Sequence, residues 1–407
     1  MREILKHKFL WFAAFGYFVD LFDLVLYGVV RIDSLVSLGF SNRDAFQIGA
    51  TLLNIQMAGM LIGGFLWGML GDRRGRREAM FGSILIYSTA TFLNAYVHSF
   101  EGYAALRFLA GLGLAGELGA AITLVSEALP QKNRGMGSAF VAAVGFFGAA
   151  LASYVCQKMS WQNAYRLGGT LGFALLLARI NVKESSLYLE TRKNPLVKDT
   201  WGSLRHLFRS SKRMKLFALA FFAGVPIWYV AGILSYFAPE FARAMNTVGT
   251  VTAGTTIMMG YMGSILGDIA CGYLSQLLQS RKKAVLIFMI IGALLAILHP
   301  YFTEGASANV FYWTRFAIGF GNGFFAILIA WIAEIFGTNL RATVSTSLSN
   351  LIRASVIPLT LSFQGLQPSM GLISASVIIG CVCFGIAIIC VFRLPETFHR
   401  DLKFFEN

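Results

Sequence analysis

The sequence predicts an all-α membrane protein of twelve transmembrane helices arranged as two pseudo-symmetric six-helix bundles. Three observations predict it. The chain of 407 residues is 56% hydrophobic and only 13% charged, against roughly 25% charge in a soluble domain. Its apolar residues lie in blocks of about twenty or more, enough to cross a hydrocarbon core of about 30 Å, whereas buried strands of soluble proteins are runs of about 4–8 residues. The two halves also repeat one another in the placement of arginine, glycine and glutamate.

In chain order the spans read 9–30, 46–70, 79–98, 101–129, 135–157, 164–182, 214–238, 249–278, 284–303, 309–336, 342–366 and 370–393. The basic start, MREILKHK, is like the head of a signal peptide. The segment after it holds Asp20 and Asp23 and lacks a small-residue cleavage site, so it reads as an uncleaved first helix. The second span carries Gln47, Thr51 and Asn54 on one face, and a short basic loop leads to the third. The fourth opens on Arg107 and has Glu117 midway. The fifth and sixth complete a first bundle, 1–182. The stretch 183–213 is the longest polar segment and the natural linker. It is partly amphipathic around 201–209 and reads either as a basic tether on anionic lipid or as a regulatory site. Spans seven to twelve form the second bundle, 214–393, with Asp268 in the eighth, Arg315 in the tenth and Arg353 in the eleventh, and 394–407 is a tail.

A net charge of +14 raises the question of nucleic acid, and its placement answers it. With the N-terminus inside, Arg2, Lys6 and Lys8, the run 73–77, the stretch 179–215, the run 281–283 and the C-terminal tail hold most of the 34 basic residues. The opposite loops keep Arg31, Arg43, Lys158 and Arg243. This positive-inside asymmetry puts both termini in the cytoplasm and points to a lipid bilayer, not nucleic acid, as the surrounding partner. The five cysteines, 156, 271, 381, 383 and 390, all fall in predicted spans and suggest neither a disulfide framework nor a metal cluster.

The repeat is in register. Arg107 begins RFLAGLGLAG, Glu127 follows 20 residues on, and Arg134 comes 7 after that; Arg315 begins RFAIGFGNGF, Glu334 follows by 19 and Arg341 by 7 more, an offset of 207–208 residues. A weaker echo relates Gly68 and the basic run 73–77 to Gly272 and 281–283. Parallel repeats of six helices put a substrate site near the midplane, where the halves meet.

Charges left inside such helices need a cavity or a partner. Tyr17, Asp20, Asp23 and Tyr27 fall within an arc of about 120° on the first helix, so all four can line one side of a water-filled path. Asp20 and Asp23 either take up and release protons or pair permanently with a buried arginine. Glu117 stands about 15 Å below Arg107 along the fourth helix and about 80° around it, so the two can share the central face. Arg107 is either a substrate contact or an internal counter-ion. Arg353 lies about 18 Å from the cytoplasmic end of its helix, with Thr343, Ser347, Asn350 and Gln364 within the same arc. Its guanidinium can bind a carboxylate or phosphate on the substrate, or pair with an acid of the first or fourth helix. Asn54 is a weaker lining candidate. Glu127 points about 160° away from Glu117 and so faces away from the cavity. Asp268 has no assigned role.

The loop GMLGDRRGRREAM (68–80), the fourth-span motif RFLAGLGLAGELGAAITLVSEALPQKNRG (107–135), VDLFDLVLYG (19–28) and the tail RLPETFHRDL (393–402) together resemble the major facilitator superfamily. Within it they are similar to the metabolite:proton symporter group, with phosphate:proton symporters and sugar porters behind it. Two departures are Gln276 where the first-half loop has Asp72, and Ala115 where the symporter group has a second glycine. The resemblance implies that Glu117 lies in the transport path. It implies that Asp72, Arg73, Arg76, Arg77, Glu127, Arg134, Glu334 and Arg341 form cytoplasmic ion pairs that hold the outward-open state and break as the halves rock.

Glycines at 111, 113 and 116 and at 319, 321 and 323 follow no strand, so they permit close helix contact rather than forming a dinucleotide fingerprint. No phosphate-cradling loop, metal-spaced histidine cluster or nucleophile elbow appears, so no enzyme, no cofactor and no ATP drive are expected. The expectation is a monomeric secondary transporter in a bacterial inner membrane. It moves a small organic anion with Asp20, Asp23 or Glu117 carrying the proton and Arg353, Asn350, Arg107, Tyr27, Tyr17 and Asn54 meeting the substrate. Symport is one direction; proton-coupled export of a metabolite or iron-chelating polycarboxylate is the other. A receptor on the same fold would bind ligand without counterflow.

Overall fold

A computed structural model describes residues 8–41, 44–117, 134–180, 204–337 and 340–398, and every structural statement below concerns these. The first bundle comprises α1 (Lys8–Ser37), α2 (Asp44–Arg73), α3 (Arg76–Asn94), α4 (Phe100–Leu114), α5 (Arg134–Cys156) and α6 (Trp161–Ala178). After the short α7 (Leu204–Arg209) come α8 (Ser211–Tyr229) with a π-helical turn (Val230–Ser235), α9 (Ala238–Ala244), α10 (Ala253–Leu277), α11 (Arg281–Thr303), α12 (Ala308–Gly321), α13 (Phe325–Ile335), α14 (Arg341–Ala354), α15 (Val356–Met370) and α16 (Leu372–Arg393).

Local chemistry explains where these helices start. Ser99, Ser160, Thr252, Ser280 and Ser307 each turn a hydroxyl oxygen to a free backbone N–H in the first turn of the helix that follows, the usual way to satisfy a helix N-terminus. Seven helical stretches are long and apolar enough to cross a bilayer on length and composition alone. The others fall short for physical reasons. The distal half of the fourth span lies outside the described residues, and α14 is rich in serine and threonine because it faces the other bundle.

Three expected single spans are interrupted. The seventh contains Pro226, which removes a backbone donor, and passes into the π turn at Val230. The tenth breaks at 322–324, at the end of the run GFGNG, into α12 and α13. The eleventh is divided at Ser355 into α14 and α15. Such irregular backbone is tolerated at membrane depth only where protein or a cavity covers it, and both the seventh and the tenth spans face the central cavity.

Within the first bundle α1 packs on α5 and α6, α2 on α4, and α3 on α4 and α6; within the second, α8 packs on α16, α10 on α12, and α11 on α12 and α16. Between bundles α5 packs on α10 and α2 on α14, two seams in equivalent positions of the repeat. Glycine makes the tightest approaches. A Cβ on Gly319 would stand 2.0 Å from the carbonyl oxygen of Gly260, and one on Gly111 2.1 Å from that of Gln56. Large apolar side chains such as Leu277, Tyr301 and Phe392 cover the outside, while Asp20, Asp23, Arg107, Glu117, Asp268 and Arg353 are fully buried.

The residues after α16 strap the end of the second bundle. The Glu396 carboxylate accepts hydrogen bonds from the Ser280 hydroxyl and from the backbone N–H groups of Arg281 and Lys282, the open N-terminus of α11. Trp331 Nε1 donates to the Pro395 carbonyl at 2.9 Å, and Arg281 lies over the Phe398 ring at 4.9 Å. Burial alone would raise the Glu396 carboxyl, but the hydrogen bonds from Ser280, Arg281, Thr397 and Lys282 outweigh it and hold it below the usual range.

Candidate functional site

A cavity lies between the bundles. One wall is α1, with Tyr17, Leu21 and Leu24, joined by Leu53 and Met57 of α2 and Phe146 of α5. The opposite wall is Trp228 and Tyr236 from either side of the π turn, Tyr261 and Ser264 of α10, and Asn322 and Phe325 from the break in the tenth span. The lining is chiefly apolar and aromatic, with Phe146 and Tyr261 at 5.4 Å ring to ring. A few polar atoms are buried there without a protein partner: Trp228 Nε1, the Tyr236 hydroxyl and Asn322 Oδ1.

Both ends are closed among the described residues. Toward the ends of α1 and α9, Arg31 Nη2 pairs with Glu240 at 3.2 Å and lies over the rings of Tyr236 and Phe237 at 4.7 and 5.4 Å. Thr252 donates to Gln157 across the α5–α10 seam at 3.1 Å. At the other end Thr343 of α14 donates to the carbonyl of Gly68 on α2 at 3.4 Å, and Asn350 fits against Gly64, where a Cβ would stand 2.7 Å from its own.

Buried charges flank the cavity. Arg353 Nη2 pairs with Asp20 Oδ2 at 3.0 Å, joining α14 to α1 across the two bundles. The guanidinium faces the Trp228 ring at 6.0 Å, which sets the pair against the cavity wall. Arg353 Nε and Nη1 and Asp20 Oδ1 have no further partner. Arg107 donates to Gln56 Oε1 and lies over the rings of Tyr27 at 4.8 Å and Tyr165 at 5.8 Å. Asp23 is within electrostatic reach of Arg107, and the Thr91 hydroxyl stands beside its carboxylate.

The other expected residues are distributed as follows. Tyr17 lines the cavity. Tyr27 donates to the Gly49 carbonyl at 3.0 Å and stands 6.2 Å from the Tyr236 ring, at the closed end. Asn54 accepts from Thr360 at 2.9 Å, and Asn350 donates to the carbonyl of Ala115 at 2.7 Å; both bridge the bundles outside the cavity wall. Glu117 meets different partners from Arg107. Its oxygens take Arg179 Nη1 at 2.8 and 3.1 Å, and Arg179 Nη2 donates to the Phe12 carbonyl at 2.6 Å. Arg179, counted by sequence among the cytoplasmic basic residues, is 1% exposed. It caps α6 and turns inward because the helix ends earlier than the apolar run suggests. Glu334 pairs with Arg281 at 3.1 Å and accepts from Thr397 at 2.7 Å, all within the second bundle. Arg341 Nε donates to the Ala333 carbonyl at 3.0 Å, Arg77 to that of Ile180 at 2.8 Å, and Arg73 is exposed. Glu127 and the side chains of Asp72, Arg76 and Arg134 lie outside the described residues.

Sequence reasoning missed the aromatic wall of Trp228, Tyr236 and Tyr261, the Arg31–Glu240 pair and the partner of Glu117. Pro226 and the GFGNG run mark two of the irregular segments. The pairings, over 209 and 62 residues of chain, leave no local signal.

Two helical bundles around a central cavity with buried charges at its wall are the architecture of a multi-pass membrane transporter. The chain belongs to the Major Facilitator Superfamily, whose profile matches residues 13–361. It is 26% identical to the Bacillus subtilis protein NiaP, named a candidate niacin/nicotinamide transporter, over 99% of both chains. It is 25% identical to the sialic acid transporter NanX of Escherichia coli, over 85% of this chain and 84% of that one. It is 27% identical to the cis,cis-muconate transport protein of Acinetobacter baylyi, over 97% and 94%. The fold matches that of the proton:xylose symporter XylE with TM-score 0.70 at 17% identity, covering 97% of both chains.

Proposed function

We propose that this secondary transporter carries a small organic anion by proton symport, and that exchange of partners at Arg353 couples the two. The observation behind this is the Asp20–Arg353 pair, buried, shared between the bundles and set against the cavity. A proton on Asp20 releases the guanidinium. A buried arginine without an anion is strongly unfavourable, by about 3–5 kcal/mol when a partner is simply removed, so the proton is best tolerated when a substrate carboxylate takes its place. Substrate anion and proton then enter as a neutral set, and the link between α1 and α14 opens with their binding. Among relatives named for niacin/nicotinamide, cis,cis-muconate and sialic acid transport, the acids support an anion. The apolar, aromatic walls favour a compact carboxylate over a polyhydroxylated one, with Trp228, Tyr236 and Asn322 supplying its other polar contacts.

We place the first bundle at 1–182, the linker at 183–213, the second bundle at 214–393 and the tail at 394–407, with both termini in the cytoplasm of a bacterial cell and the chain working as a monomer in its inner membrane. Asp23 with Arg107 is assigned as a second proton-sensitive charge pair, and the pairs around Glu334 and the 72–77 loop as the cytoplasmic gate.

A thermal-shift screen of the purified chain tests the substrate class. Nicotinate, benzoate and cis,cis-muconate are expected to stabilise it and nicotinamide and xylose are not. The stabilisation is lost in Arg353→Ala. Stabilisation by the uncharged compounds alone, or equal stabilisation of Arg353→Ala, contradicts the reading.

A further inference from the structure

Asp268 sits on α10, in the middle of the second bundle, away from both charge pairs described above. It is fully buried. One carboxylate oxygen, Oδ1, accepts the backbone N–H of Ala326 at 3.2 Å, and the other, Oδ2, has no hydrogen-bond partner. Ala326 is the second residue of α13, the helix that resumes the tenth span after its break.

A helix that restarts inside a membrane protein exposes N–H groups that no preceding turn can accept. The side-chain caps at the residue before a helix elsewhere are serine or threonine hydroxyls, and α11 is capped in addition by the Glu396 carboxylate. Here that residue is Phe324, which has no side-chain acceptor and makes no cap hydrogen bond. Asp268 supplies the missing acceptor from a different helix, and the partial positive charge of a helix N-terminus suits a carboxylate. The approach that makes this possible is backbone on backbone: a Cβ on Gly323 would stand 2.5 Å from the Asp268 nitrogen and from Gly267. One turn earlier on α10 the Ser264 hydroxyl donates to the Gly319 carbonyl at 3.2 Å, on the other side of the break. Gly319, Asn322 and Phe325, the residues on and beside the break, all line the cavity.

We infer that Asp268 is a positioning residue for the substrate cavity: a helix cap supplied in trans that fixes the break in the tenth span and so holds Asn322 and Phe325 against the substrate. Its role is that of an acceptor. An amide oxygen performs it as well as a carboxylate, which separates it from a charge- or proton-carrying role. The substrate part of the inference rests on the proposed function; the capping part does not.

The test uses the full chain in lipid nanodiscs. Hydrogen exchange at the amides of 324–328 is expected to be faster by roughly fivefold in Asp268→Ala, the effect of losing one cap, and unchanged in Asp268→Asn. In proteoliposomes the KM for nicotinate rises by about the same factor in Asp268→Ala, with saturated turnover less affected, and stays near wild type in Asp268→Asn. Ala326→Pro removes the donor instead of the acceptor, at a helix position that tolerates proline. It is expected to raise KM as Asp268→Ala does, with no further rise in the double variant. Unchanged exchange in Asp268→Ala, additive effects of the two variants, or an Asp268→Asn chain as impaired as Asp268→Ala overturns the inference. If nicotinate is not carried at all, the exchange measurement still decides the capping claim.

Discussion

Arg353 has a single acidic partner and two nitrogens to spare, which is what a binding arginine needs if it is to exchange one carboxylate for another. Glu117 is built differently. Its carboxylate receives Arg179 through both oxygens, and Arg179 is held in turn by the Phe12 carbonyl, so the group is a fixed tie between α1, the fourth span and α6. Glu117→Ala leaves Arg179 buried without an anion and is expected to destabilise the chain by about 3–5 kcal/mol, read as a fall in melting temperature in detergent. A normal melting temperature would mean that the pair is not a structural tie. The presence of these charges was legible in the sequence because ionised groups within apolar runs are conspicuous. Their partners were not: Arg353 and Asp20 are 333 residues apart, and helical periodicity gives a residue's face, never the neighbour across it.

At the scale of elements, several spans read from apolar runs agree with the helices to within a few residues, for example 46–70 against Asp44–Arg73 and 284–303 against Arg281–Thr303, while the first, 9–30, runs on to Ser37. The interruptions in the seventh and tenth spans are marked only by Pro226 and the GFGNG run, and that in the eleventh has no marker. Hydrophobicity averages over them, and a bundle buries the broken backbone that a soluble helix would leave to water. The strap after α16 is another element that the apolar pattern hides. Glu396 caps α11, and its folded carboxyl titrates below the ordinary value of 4.5. A group lowered on folding contributes stability that is fully present above its unfolded value and is lost as the pH falls through the folded one. The strap is therefore intact at neutral pH and loosens only below about pH 4.5. Glu396→Gln is expected to cost about 1 kcal/mol at pH 7 and to leave little further loss on acidification. Thermal melts of both chains from pH 7 to pH 3 check this, and profiles that stay parallel below pH 4.5 would refute it.

At the scale of the whole molecule, contacts close the cavity at both ends: Arg31–Glu240 and Gln157–Thr252 at one, Gly64 and Gly68 against α14 at the other. Opening either end further requires breaking its own set. The internal repeat made two bundles legible from sequence, but Arg31 read as a loop charge because the predicted span ends at 30, whereas α1 continues to Ser37 and carries it. If the Arg31–Glu240 pair latches its end, Glu240→Ala raises the reaction rate of a cysteine at cavity position Leu24 with a membrane-impermeant maleimide several-fold in intact cells, in a background lacking the native cysteines. The charge-swapped pair Arg31→Glu with Glu240→Arg restores protection. Equal labelling in all three chains would remove the latch from the account.

The coupling claim is tested most directly by acid-driven accumulation of labelled nicotinate in proteoliposomes carrying wild type or Asp20→Asn. The wild type is expected to accumulate nicotinate against its gradient when the outside is acidic. Asp20→Asn, which cannot take up the proton, retains equilibrium exchange and loses accumulation. Accumulation by Asp20→Asn at the wild-type level, under the same pH gradient, would contradict coupling through the Asp20–Arg353 pair.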